Sequence, residues 1–148
     1  HEIEGHNYRM EEIQAGVLNV KMKYIQKWTD MRRKNAKLYS DTFASLGIEE
    51  VITPWHPDYV DPVYHLYIIR VKNREKLIDH LNKNGVQNGL HYPVPLHIQK
   101  AYSHLNYNPD DFPVAAKYAN EILSIPMYPE MTEDMIHYVC STIKKFYS

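Results

Sequence analysis

Met10, Ile13, Val17, Val20, Tyr24, Trp28 and Met31 recur every three or four positions, the spacing of one face of an amphipathic helix. Leu18, Met22 and Ile25 widen that stripe, so more than one surface of the helix is expected to be covered. Ala36, Leu38, Tyr39 and Phe43 prolong the pattern to Gly47, a suitable C-terminal stop. No proline interrupts the run, and Gly16 is an interior defect of about 1 kcal/mol. A single helix over 8–46 would be roughly 58 Å long. A compact domain of this size is only about 40 Å across. Such a helix overhangs its own domain. It must bend near Asp30–Asn35, lean on further protein, or pack on a second subunit.

After Gly47 the pattern changes to alternation. Ile48–Thr53 predicts a short strand, then a loop rich in Pro, Asp and aromatic residues runs from Pro54 to Pro62. Val63–Val71 is dense in β-branched and aromatic residues and predicts a strand. Asn73 opens a helix carrying Leu77, Ile78 and Leu81 and closed by Gly85. Val86–Tyr92 reads as a strand, Pro93-Val94-Pro95 as extended chain, and Leu96–Tyr102 as a short helix. Pro113 suits the first turn of a helix reaching about Leu123, and Ser124–Met127 predicts a short extended segment. Thr132 caps a final helix with Glu133 and Asp134 in its first turn and Met135, Ile136, Val139, Ile143 and Phe146 facing inward. The expected fold class is α/β: a small layered domain over 48–148, led by a long helical region over 1–47.

Composition narrows the classes without choosing a function. The 148 residues are 44% hydrophobic and 24% charged, which excludes intrinsic disorder, and a folded chain of this length should expose roughly 7,900 Å². Seventeen basic against eighteen acidic residues give a net charge of −1, which argues against a dedicated nucleic-acid binder. No apolar run approaches the ~18 residues of a membrane span, and no secretory signal opens the chain. Cys140 is the single cysteine, so an intramolecular disulfide is excluded and a reducing, cytoplasmic setting is expected.

The candidate chemistry is sparse. There is no phosphate-binding glycine loop, nucleophile elbow or paired-histidine zinc helix. His91 and His97 share no segment with a carboxylate or cysteine and are separated by two prolines, so no metal site is expected. Ser141 and Lys144 have a Ser-x-x-Lys spacing but sit on an amphipathic helix, where a solvated face accounts for them. The basic run Lys21, Lys23, Lys27, Arg32, Arg33, Lys34 and Lys37 is read as the exposed face of the long helix rather than an anion-binding surface.

Two segments offer more. In Gly5-His6-Asn7-Tyr8-Arg9-Met10 an amide and a guanidinium stand two residues apart at an expected helix start. They suit either an anion, with the first-turn N–H groups, or a helix cap by Asn7 with a surface arginine. His91-Tyr92-Pro93-Val94-Pro95-Leu96-His97 sets two polar aromatic side chains at the entrance to a stiff loop, a common binding position.

These segments carry a resemblance. Gly5-x-Asn7-x-Arg9-Met10-x-x-Ile13-Gln14-Ala15 with Trp28, Arg32 and Ala36 resembles the DegT/StrS-type sugar aminotransferases. So do His91-Tyr92-Pro93-Val94-Pro95-Leu96-His97-Ile98-Gln99 with Ala101-Tyr102, and Phe112-Pro113 followed by Ile122 to Pro129. The three blocks stand in the family's order and span essentially the whole chain. Gly16, where a small residue such as alanine is usual, and Ile125, in place of a frequent leucine, are the departures.

The resemblance implies the C-terminal part of a fold-type I pyridoxal-phosphate (PLP) enzyme: a long linking helix and a small α/β domain. The large domain, with the Schiff-base lysine, is expected upstream. By the same resemblance Asn7 contacts the cofactor phosphate across a homodimer interface, and Arg9, His91 and Tyr92 bind the nucleotide sugar near its diphosphate. The implied reaction passes an amino group, typically from glutamate, to a keto sugar in surface-polysaccharide or secondary-metabolite biosynthesis. The chain alone is then inactive. A sugar dehydratase of the same family and a non-catalytic interaction module are the alternatives.

Overall fold

The computed structural model describes residues 2, 3, 5 and 9–148. Two helices open it, α1 (Glu12–Met22) and α2 (Ile25–Leu46). The predicted bend exists, but at Lys23–Tyr24, where the Tyr24 N–H donates to Lys21 O at 2.9 Å instead of one residue further back. The expected hinge at Asp30–Asn35 is the most firmly tied part of α2. Arg32 donates to the carbonyls of Tyr64 and His65 at 3.1 Å and of Met127 at 2.9 Å. Arg33 donates to Pro62 O at 3.1 Å and pairs with the Asp61 carboxylate at 2.8 Å. The arginines of the basic run are therefore fasteners between α2 and a loop, not an exposed charged face.

The same face of α2 closes on the extended segment before the last helix. Positions 32, 35 and 39 lie three and four residues apart, on one stripe. Tyr39 donates to Pro126 O at 2.9 Å, Arg32 to Met127 O, and Asn35 to Tyr128 O and Pro129 O at 3.0 and 3.2 Å. Four successive carbonyls that no strand partner pairs are thus satisfied by side chains, which removes the cost of burying them bare.

The sheet is antiparallel, in the order β1 (Val51–Ile52), β2 (Tyr67–Val71), β3 (Ile122–Ile125). Strand β2 starts four residues later than the pattern predicts, because Tyr64 takes a left-handed backbone (φ 49°) and Arg32 captures the Tyr64 and His65 carbonyls. Helix α3 (Arg74–Lys83) ends as expected at Gly85, whose φ of 70° lets the Gly85 and Val86 N–H groups turn back to Asn82 O and Leu81 O. That closure overturns the strand expected over Val86–Tyr92. Val86 N–H is spent on the helix, Asn88 bonds the Val86 carbonyl, and only Gly89 bridges to β3.

Leu96–Ile98 and Lys100–Leu105 are short 3₁₀ turns where one helix was expected over Leu96–Tyr102, and Pro109–Asp111 is a third such turn beyond it. Helix α4 (Pro113–Glu121) stops two residues early, since Ile122, the first residue of β3, already pairs with Arg70 of β2. Pro126 has no N–H and lies beyond the end of β3, so the strand stops short of the predicted Met127. Thr132 caps α5 (Glu133–Tyr147) as predicted, its Oγ1 accepting from Met135 N at 3.3 Å. Met135 itself faces outward, against expectation.

Alternation along β2 divides the molecule. Tyr67, Ile69 and Val71 join Leu123 and Ile125 in a core closed by Ala36, Tyr39 and Phe43 of α2, Leu77 and Leu81 of α3, and Ile136, Val139, Cys140 and Ile143 of α5. The other face presents Ile68, Arg70, Ile122 and Ser124 towards α4, where Arg70 lies 3.8 Å from the Tyr118 ring centre and pairs with Glu121 at 2.8 Å. Burial pushes the Tyr39 and Tyr67 phenols above the ordinary 10.0 and the Cys140 thiol from 9.0 up to about 12.

Helix α1 buries nothing: Ile13 is 81% exposed and Val17, Val20 and Met22 are exposed with it. The accessible surface is 10860 Å², well above the expectation for a compact chain. We expect the chain to self-associate and to bind an apolar dye through this stripe. Ile13→Glu with Val17→Glu should abolish both, as read by light scattering and dye fluorescence.

Candidate functional site

Of the four residues singled out by sequence, Asn7 lies outside the described residues, and the structure places the other three in two locations. His91 and Tyr92 leave the bridge that Gly89 makes with Ser124, in which each N–H donates to the other's carbonyl at 3.0 and 2.9 Å. Tyr92 then adopts φ 55°. A left-handed, bulky residue is uncommon and costs about 1–3 kcal/mol, and the following Pro93 narrows its options further. The turn folds the His91 ring back onto β3, where Nδ1 lies 2.8 Å from Ser124 Oγ. It also leaves the Tyr92 side chain 82% exposed.

Beside this pair, a cleft of about 460 Å³ opens between the loop and α4, lined by Tyr92, Leu96, His97, Phe112, Tyr118 and Ile122. His97 packs its ring 4.8 Å from that of Phe112, and its Nε2 is buried without a hydrogen-bond partner among the described residues. The sequence drew attention to neither Phe112 nor Ser124 as part of the site. Both come from later in the chain, Ser124 joined to the loop by its bridge with Gly89 and Phe112 by its ring contact with His97.

Arg9 stands elsewhere. It lines a shallow hollow with Met10, Glu11, Glu12 and Ile13, and among the described residues no hydrogen bond joins it to His91 or Tyr92. The helix start expected at Asn7–Arg9 falls later. Glu11 is the N-cap of α1, and Gln14 Oε1 accepts from its N–H at 3.3 Å. The Glu11 N–H is thus satisfied from within the helix, and Arg9 precedes it as an exposed guanidinium. The start of the chain does approach the other location, through an exposed ion pair of Lys100 with Glu2 at 3.0 Å. Among the described residues no three His, Cys, Asp or Glu side chains group as a metal site. No helix there is long and apolar enough to cross a membrane.

A model of the DegT/DnrJ/EryC1/StrS aminotransferase family matches residues 1–144. The chain belongs to this family. Family members are PLP-dependent. The chain is 37% identical over 99% of its length to the pleiotropic regulatory protein of Geobacillus stearothermophilus, covering 40% of that protein. It is 33% identical over 99% of its length to the dTDP-3-amino-3,4,6-trideoxy-alpha-D-glucose transaminase of Streptomyces venezuelae, covering 38% of it. The crystal structure of DesV from S. venezuelae superposes with a TM-score of 0.86 at 30% identity, covering 99% of this chain and 39% of DesV. The chain thus spans about two-fifths of the length of the relatives it matches and has the fold of the C-terminal portion of a fold-type I sugar aminotransferase. Asn7, expected at the cofactor phosphate, lies outside the described residues, and the exposed guanidinium of Arg9 beside it in sequence is a donor suited to phosphate or diphosphate oxygens.

Proposed function

We propose that the chain serves a PLP-dependent aminotransferase that passes an amino group, from glutamate, to the keto sugar of a nucleotide sugar. Residues 1–47 act as its linking helical region and 48–148 as its small domain, with the large domain and the Schiff-base lysine upstream. The observation that carries this reading is the His91–Tyr92 turn, bent back at a strained residue and fixed to β3 beside an aromatic cleft. An imidazole and a phenol held at the mouth of such a cleft suit a diphosphate ester, since hydrogen bonds to charged groups contribute roughly 1.5–3 kcal/mol each. In this reading Tyr92 and His91 donate to the substrate, Arg9 neutralises diphosphate charge, and Asn7 holds the cofactor phosphate. When bound, PLP supplies the electron sink for the transfer. Arg9 and the Tyr92 turn line separate hollows of one chain, which suits a homodimer whose sites draw on both subunits.

In the full-length enzyme Arg9→Ala and His91→Ala should each raise the nucleotide-sugar KM about thirtyfold or more, equivalent to some 2 kcal/mol, with PLP absorbance retained. Asn7→Ala should instead weaken PLP retention. Mixing a lysine-deficient subunit with an Asn7 or Arg9 variant should restore up to about a quarter of the activity, because one statistical site in four is intact. Heterodimers that form without regaining activity would refute sharing between subunits.

A further inference from the structure

Ser124 is 5% exposed, and its hydroxyl has one hydrogen-bond partner among the described residues, His91 Nδ1. A hydroxyl proton pointing anywhere else would be a buried donor without an acceptor. The proton therefore lies between Oγ and Nδ1, with Ser124 donating, and the ring carries its own hydrogen on Nε2. A second contact limits the ring from the other side. A Cβ added at Gly89 would lie 3.3 Å from His91 Cε1 and 3.7 Å from Nδ1, so the imidazole rests against the bare glycine. Gly89 and Ser124 are themselves locked together by their two backbone hydrogen bonds.

We infer that Ser124 and Gly89 are positioning residues that hold His91 in the Nε2–H tautomer, so that position 91 offers the substrate a hydrogen-bond donor and not an acceptor. The inference rests on the reading of His91 as a nucleotide-sugar residue and specifies what it recognises there: an anionic oxygen, of the kind a diphosphate presents. A freely turning imidazole would offer either nitrogen in either state, and each wrong arrangement would set a lone pair against the anion. The serine removes that choice before substrate arrives.

The test begins with the histidine nitrogens of the 15N-labelled chain, followed by NMR above the pH range where imidazole is protonated. His91 should show an unprotonated Nδ1, a protonated Nε2 and a close contact between its ε1 proton and Gly89. Ser124→Ala should give mixed tautomers and weaken that contact, and Ser124→Thr, which keeps the hydroxyl, should restore both. Gly89→Ala should displace the ring while the hydroxyl remains. In the full-length enzyme Ser124→Ala should raise the nucleotide-sugar KM roughly threefold to tenfold with little change in kcat, the loss of one aligned hydrogen bond. A protonated Nδ1 in the native chain, or a Ser124→Ala variant folded by circular dichroism with an unchanged tautomer, overturns the inference. A KM indifferent to His91→Ala refutes the substrate reading instead, while the nitrogen shifts still decide whether the serine holds the ring.

Discussion

Alkaline titration should unfold the chain cooperatively between pH 9 and about pH 11, with loss of helical circular dichroism and a simultaneous jump in tyrosinate absorbance. Tyr39, Tyr67 and Cys140 are fully buried, and burial raises all three in the native state: the phenols above 10.0, the thiol from 9.0 to about 12. A group raised by folding stabilises the native state fully below its unfolded pKa and loses that contribution as pH climbs towards its folded pKa. Here the unfolded chain sheds the protons first. It binds fewer protons than the native chain, so stability falls with rising pH by about 1.4 kcal/mol per pH unit for each group. By about pH 11 the three together remove some 5 kcal/mol, comparable with the whole stability of an ordinary domain. Native helicity persisting to about pH 12 would refute this account.

Replacing Arg32 with alanine should destabilise the chain by about 3 kcal/mol, close to 10 °C in Tm by thermal scanning. One guanidinium satisfies three carbonyls at the open end of the β2–β3 ladder, Tyr64 and His65 before β2 and Met127 after β3. Removing it strands all three and frees the loop before β2. Arg32→Lys should recover only part of the loss, because a single ammonium on a flexible stem cannot reproduce the planar fork. A Tm within about 2 °C of the native value for Arg32→Ala would show that the loop is held without it.

The contrast between this residue and the helices shows what a sequence makes legible. Helix α5 announces itself locally: Thr132 caps it, acidic residues fill its first turn, and its apolar positions repeat at helical spacing. The Gly47 and Gly85 stops are equally local. Arg32 looked like a member of a charged face because nothing within ten residues of it reveals carbonyls 32 and 95 positions away. The strand expected over Val86–Tyr92 failed for the same reason. Its composition fits a strand, but its hydrogen-bonding groups are claimed by the end of α3. In the site, His91 and Tyr92 were readable from the stiff loop that follows them. Ser124, which aims His91, was not, since a serine in an apolar stretch has no periodic signature and its meaning comes from strand register.

That dependence on distant partners also constrains how the molecule can be made. Strand β2 pairs with β3, α2 closes on α5, and α2 satisfies carbonyls of residues 126–129 as well as those of the loop before β2. The first half can tie α2 to the loop before β2 and pair β1 with β2, but the partners that complete the sheet and cover the rest of α2 lie in the last quarter. A chain emerging from the ribosome therefore cannot complete its sheet until synthesis has passed residue 122. Its apolar α1 stripe and the edge of β2 that awaits β3 are open to wrong contacts throughout that interval. Slowing translation early in the chain should lengthen the hazard, whereas slowing it after α5 has emerged should not.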